Sequence, residues 1–190
     1  MNTNFIVIDN FYTNPIETRN SVLETQSFDI EGNFPGYRTN PVGQEHSLYL
    51  KKFFEVIINK PITYWPGEYN TSFQYTTKED TTWIHHDDTE WAGVVYLTPD
   101  APLSSGTGLF QHIETGIDTW VLDEPETDFN KSNFLGDDSI HQWSIMCSAG
   151  NKFNRLVLYN GHAYHRSLDV GFGSSKHDGR LFQTFFFSTY

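Results

Sequence analysis

The stretch Arg155-Leu-Val-Leu-Tyr159-Asn160-Gly161-His162-Ala163-Tyr164-His165 carries the β signature of this chain. Its branched and aromatic run reads as a strand, Asn160-Gly161 as a turn, and Ala163 onward as the start of the next strand. Similar runs recur from about Thr71 on, near 72–77, 82–88, 92–98, 108–113, 143–148, 155–160, 163–167 and 180–189. Gly150-Asn151 supplies a further turn pair. The chain before them reads differently. Phe5 to Asp9 suggest a short opening strand, and Asn14-Pro15 starts a helix over about 15–26 with Ile16, Val22 and Leu23 on its apolar side. A loop rich in Gly, Pro and Asn, Glu31 to Gly43, leads to a second helix over Ser47 to Asn59. Leu48, Phe53, Phe54, Ile57 and Ile58 lie near helical spacing there, and Pro61 ends it. About eight short strands after two helices predict a mainly β protein, a jelly roll with the helices packed on one sheet. A sandwich of another topology gives similar local signals.

The 190 residues suit one domain, with a helical part over about 1–65 and a β core over about 70–190. Sixteen Phe, ten Tyr and five Trp provide for a sizeable core. Lys and Arg number 12 against 24 Asp and Glu, a net charge of −12 that repels phosphate backbones and anionic bilayers. No nucleic-acid or membrane partner is expected. No apolar run approaches the roughly 20 residues that span a bilayer, and the opening residues lack the basic and apolar regions of a signal peptide. Cys147 is the only cysteine, so an internal disulfide and a thiolate-rich metal site are excluded. A reducing compartment, the cytoplasm, fits that usage.

Chemistry-bearing residues gather in Trp83-Ile84-His85-His86-Asp87-Asp88. On a strand, His85 and Asp87 share one face while His86 points away. An imidazole nitrogen and a carboxylate oxygen so placed can take adjacent positions on a metal. A third ligand from a distant strand would complete a 2-His-1-carboxylate set with positions left open. His86 and Asp88 form a second, overlapping pair, so the register stays open. His165 lies 78 residues beyond Asp87, with His162 as a competitor, and Arg180 lies 15 residues beyond His165. A guanidinium at the mouth of the aromatic strand Leu181 to Ser188 implies a fixed anion partner. Tyr75, ten residues before His85, shares that anion if it faces inward. His112 is expected behind the site or at the surface, and His46, His141 and His177 in solvent.

The ordered set Tyr75, His85-x-Asp87, Ala92-Gly93-Val-Val-Tyr96-Leu97, Gly106-Thr107-Gly108, His165 and Arg180 resembles the 2-oxoglutarate- and Fe(II)-dependent dioxygenases of the prolyl-hydroxylase-like branch. The resemblance runs over roughly Phe5 to Tyr190. It implies a double-stranded β-helix, with Fe(II) held by His85, Asp87 and His165. It further implies that Arg180 holds the C5 carboxylate of 2-oxoglutarate, with Tyr75 as helper, and that O2 is consumed with ascorbate as a supporting reductant. The implied reaction hydroxylates a peptidyl residue or a small molecule and releases succinate and CO2. Two rival classes use the same residues: a jelly-roll metal- or ligand-binding protein without turnover, and a zinc hydrolase with Asp88 or Glu90 as its base.

One segment stands apart. Glu114 to Ile140 holds eight carboxylates against Lys131 alone. Its expected role is a lid over the jelly roll that selects a neutral or cationic substrate, or else a solvated surface loop.

Overall fold

The computed structural model describes residues 4–120, 139–168 and 171–190. Most of the acidic insert therefore lies outside the described residues. In chain order the elements are β1 (Phe5–Asp9), α1 (Pro15–Thr25), β2 (Tyr37–Arg38), α2 (Gln44–Ile58), β3 (Phe73–Thr76), β4 (Trp91–Tyr96), β5 (Thr107–His112), β6 (Trp143–Ala149), β7 (Arg155–Asn160), β8 (His165–Ser167) and β9 (Arg180–Phe187). Among the described residues the protein is mainly β, with two antiparallel sheets and two α-helices. The larger sheet runs β1-β7-β4-β9-β3-β2 and the smaller β6-β5-β8.

Side chains alternate across each strand, and this sorts the larger sheet into two unlike faces. One face presents Leu156, Leu158, Val95, Leu181, Phe185 and Phe187, and both helices lie on it. From α1 it receives Val22 and Leu23, and from α2 Leu50 and Phe54, one turn apart on one stripe. Phe54 is fully buried, its ring 4.7 Å from Phe185 and 5.3 Å from Phe187. The opposite face carries Ala92, Val94, Tyr96, Val157, Tyr159 and Phe182 and looks toward the smaller sheet.

Helix α1 falls close to its expected bounds, whereas α2 begins at Gln44, ahead of the expected Ser47. Asn59, in the left-handed region at φ 52°, ends α2 before Pro61. The apolar stripes are narrower than the spacing suggests, since Ile16 and Leu48 are exposed. Two further differences bear on function. The segment 82–88 is not a strand; its one bridge joins His85 to His165. Conversely, the loop 31–43 contains the short strand β2, which no hydrophobic alternation announces. Among the described residues no helix is long and apolar enough to cross a membrane.

Candidate metal centre and its cavity

His85 and His165 exchange backbone hydrogen bonds in both directions, N to O at 3.0 and 2.8 Å, and so stand side by side. Their ring centroids are 4.4 Å apart. Two residues on, the Asp87 amide donates to the Gly161 carbonyl at 2.8 Å, which holds Asp87 against the turn before β8. Gly161 makes this approach feasible: a Cβ there would lie 2.2 Å from the Thr89 carbonyl oxygen. As a result His85, Asp87 and His165 each offer a ligand atom, all within 4.8 Å of one another.

Backbone carbonyls orient both rings. His85 Nδ1 lies 3.0 Å from the Trp83 oxygen and His165 Nδ1 lies 2.8 Å from the Ala163 oxygen. A carbonyl only accepts, so each Nδ1 carries the hydrogen and each Nε2 keeps its lone pair for a metal. His165 Nε2 faces Asp87 Oδ2 at 3.3 Å, two electron-rich atoms that repel unless a cation lies between them. Burial, with His165 beside it, pushes the His85 pKa down to about 4, so the ring is neutral and ligating at neutral pH. Burial alone would raise the Asp87 pKa, but the protonated forms of His165 and His85, together with Arg38, outweigh it and hold the carboxyl below its ordinary value. The donor set, two imidazoles and one carboxylate with an open side, suits ferrous iron.

The alternatives left open by the sequence are now placed. His86 stacks on Trp120, ring centroids 4.6 Å apart and planes 6° from parallel, and is not in the converging group. Asp88 is exposed. His162 turns its Nδ1 to the Asp87 carbonyl oxygen at 3.1 Å and its Nε2 to the Tyr190 hydroxyl at 3.1 Å. His112 is buried with its Nδ1 3.0 Å from the Thr115 hydroxyl and does not line the cavity. His46, His141 and His177 are exposed. The hydrolase reading loses one base, because the Glu90 carboxylate accepts from the Thr189 amide at 2.8 Å and its hydroxyl at 2.6 Å.

The three converging residues open onto a cavity of about 640 Å³ between the sheets. Arg180 lines it, 5% exposed. One terminal nitrogen donates to the Ser167 hydroxyl, and the other reaches the Gly106 carbonyl at 3.4 Å and the Thr107 hydroxyl at 3.5 Å. Its Nε is buried without a partner, and no carboxylate pairs with it among the described residues. Such a cation calls for an anion.

Tyr75 does not join Arg180. In the antiparallel register Tyr75 stands opposite Leu181 and Thr76 opposite Arg180, so Tyr75 shares the helix-covered face. Its ring packs on Phe28 and Tyr37 at 5.2 and 5.6 Å. Of the tyrosines that line the cavity, Tyr159 stands beside the converging group, its ring 4.7 Å from His165. Burial raises its pKa well above the ordinary value, so it keeps its proton, and its hydroxyl meets no partner among the described residues. A second buried arginine, Arg38, lines the same cavity from β2. The sequence reading missed it.

Solved structures resemble this fold over nearly the whole chain. HygX from Streptomyces hygroscopicus, with nickel, 2-oxoglutarate and hygromycin B bound, is 18% identical at a TM-score of 0.53, covering 96% of this chain and 81% of its own. HygX with iron bound is 14% identical at 0.55, covering 96% and 80%. A prolyl hydroxylase from Trichoplax adhaerens, in complex with a hypoxia inducible factor oxygen degradation domain peptide fragment, is 14% identical at 0.57, covering 97% and 83%. At these identities the likeness is one of fold. No curated protein matches the chain. A family model does match, over residues 1–187, and by it the chain belongs to the family of unknown function DUF6445.

Proposed function

We propose that this protein is an Fe(II)- and 2-oxoglutarate-dependent dioxygenase that hydroxylates its substrate and releases succinate and CO2. The two sheets then form a double-stranded β-helix, with the helices as one further layer of a single domain over residues 1–190. The observation that carries the reading is the convergence of two Nδ1-pinned histidines and a carboxylate beside an arginine that lacks an anion. The solved neighbours that hold iron, nickel and 2-oxoglutarate support it.

In this reading His85 Nε2, His165 Nε2 and Asp87 hold the iron. The bound metal and 2-oxoglutarate supply the oxidising chemistry. Arg180 receives the distal carboxylate of 2-oxoglutarate, with Ser167 and Thr107 setting the plane of its guanidinium. Tyr159, in place of Tyr75, donates its hydroxyl hydrogen to the co-substrate. The low-dielectric walls, Val94 and Phe182 among them, keep water from the reacting side. A reducing compartment such as the cytoplasm keeps the metal ferrous.

The test is direct. Purified protein with Fe(II), ascorbate, 2-oxoglutarate and air is expected to form succinate, and His165→Ala to form none. Binding of iron and 2-oxoglutarate without succinate would instead favour the binding protein without turnover. Failure to bind 2-oxoglutarate sinks the proposal.

A further inference from the structure

We infer that Arg38 is the docking point for a carboxylate of the substrate, so that the substrate is an organic acid; the inference rests on the dioxygenase reading above. Arg38 stands opposite Gln74 in the β2–β3 register, on the cavity side of the sheet. Its Nε donates to Gln74 Oε1 at 2.5 Å, and Gln74 Nε2 donates in turn to the Pro35 carbonyl at 2.5 Å. That relay turns the amide oxygen, and not its nitrogen, toward the guanidinium. The guanidinium carbon lies 3.9 Å from the centre of the Phe34 ring, 5.5 Å from Tyr69 and 5.8 Å from Phe186. Three aromatic faces thus steady the guanidinium, and its terminal nitrogens are left for a planar acceptor.

Arg38 is 9% exposed, and among the described residues its terminal nitrogens donate to nothing and no carboxylate lies within ion-pair distance. Glu68, Asp87 and Asp88 also line the cavity; Glu68 and Asp88 are exposed, Asp87 attracts Arg38 from beyond ion-pair distance, and none of the three pairs with it. Burial pushes the Arg38 pKa down only to about 10, so the group is cationic at neutral pH. A buried cation held open toward a cavity, with one neutral acceptor, is a receptor for an anion.

The co-substrate does not fill that role. Arg180 on β9 and Arg38 on β2 are separated by β3, about 10 Å at the usual strand spacing. A five-carbon diacid with one end at the metal reaches one arginine, not both. Docking at Arg38 gives the substrate a negative charge. This charge runs against the neutral or cationic substrate suggested by the acidic insert.

The experiment uses protein loaded with redox-inert Mn(II) and saturating 2-oxoglutarate, titrated calorimetrically with phenylacetate and with its neutral counterpart phenylacetamide. The expected result is an acid bound about tenfold or more tighter than the amide, a preference that Arg38→Gln removes while 2-oxoglutarate affinity is unchanged. Absence of that preference in the native protein overturns the inference and needs no variant. Loss of 2-oxoglutarate affinity in Arg38→Gln also overturns it, since Arg38 would then anchor the co-substrate. The same titration without metal or 2-oxoglutarate separates the two proposals. If the native protein fails to bind 2-oxoglutarate, the dioxygenase reading falls. A preference for acid that is lost in Arg38→Gln, but kept in Arg180→Gln, still assigns the acid to Arg38.

Discussion

The two faces of the six-stranded sheet are made by the same strands, one residue out of phase, and they have opposite chemistry. On β9, Leu181, Phe185 and Phe187 go to the helices, while Arg180, Phe182, Thr184 and Phe186 go to the cavity. On β3, Phe73 and Tyr75 go one way and Gln74 the other. The helix-covered face is closed by aromatic packing and contributes stability. The cavity face keeps two arginines whose anions are not among the described residues, and it contributes function at a cost in desolvation. Stability and binding should therefore separate by the parity of the residue substituted.

The largest break in that comparison comes from the converging triad. His85→Ala, Asp87→Ala or His165→Ala should each abolish iron retention and succinate formation while the circular dichroism spectrum is kept. His86→Ala, which removes a ring stacked on Trp120, should retain iron. Loss of iron in His86→Ala with retention in His85→Ala would move the site to the other register.

Next in size is the helix face. Phe185 is fully buried against Phe54, so Phe185→Ala should cost about 3–5 kcal/mol of unfolding free energy. Iron and 2-oxoglutarate affinities of the folded fraction should not change. Chemical denaturation and calorimetry together check this. On the cavity face, Arg180→Gln should do the reverse. It should weaken 2-oxoglutarate by about 2–5 kcal/mol, the usual cost of truncating a buried charged partner, with iron affinity nearly intact.

Much of the site was legible because period two is a strong constraint. His85 and Asp87 share a side even though their segment is not a strand, since both bond to the same stretch, Gly161 to His165. What spacing alone could not fix was the register; in three dimensions it is His85 and Asp87 that gather with His165. Tyr75 was misplaced for an identifiable reason. Arg180 and Leu181 are adjacent, so a residue paired across from either lies on a face that depends on the pairing register. A fully buried strand such as β7 gives no alternation to read, which hid Tyr159. Arg38 was beyond reach because β2 has two residues inside a loop rich in Gly and Pro. The two tyrosines give a finer comparison. Tyr159→Phe should weaken 2-oxoglutarate by about 1 kcal/mol, one hydrogen bond's worth, while Tyr75→Phe should leave it alone. An effect from Tyr75→Phe and none from Tyr159→Phe would reverse the assignment.

The smallest effect is expected where neither face is involved. Asp9, on the edge strand β1, is paired with Arg155 at 2.7 Å and Lys152 at 2.7 Å. Hydrogen bonds from Arg155 first and Lys152 second hold its carboxyl well below the ordinary value of 3.8. A carboxyl depressed in the folded state contributes stability that is full above the unfolded value and is lost as pH falls through the folded one. Because the pair is partly solvated, the contribution should be below about 1 kcal/mol and should shrink with salt. Asp9→Asn should therefore lower the melting temperature slightly at pH 7. The difference from the native protein should fade as the pH is lowered below about 4, the ordinary Asp range. A gap of constant size from pH 7 to pH 2 would show that Asp9 acts through packing at the sheet edge and not through its charge.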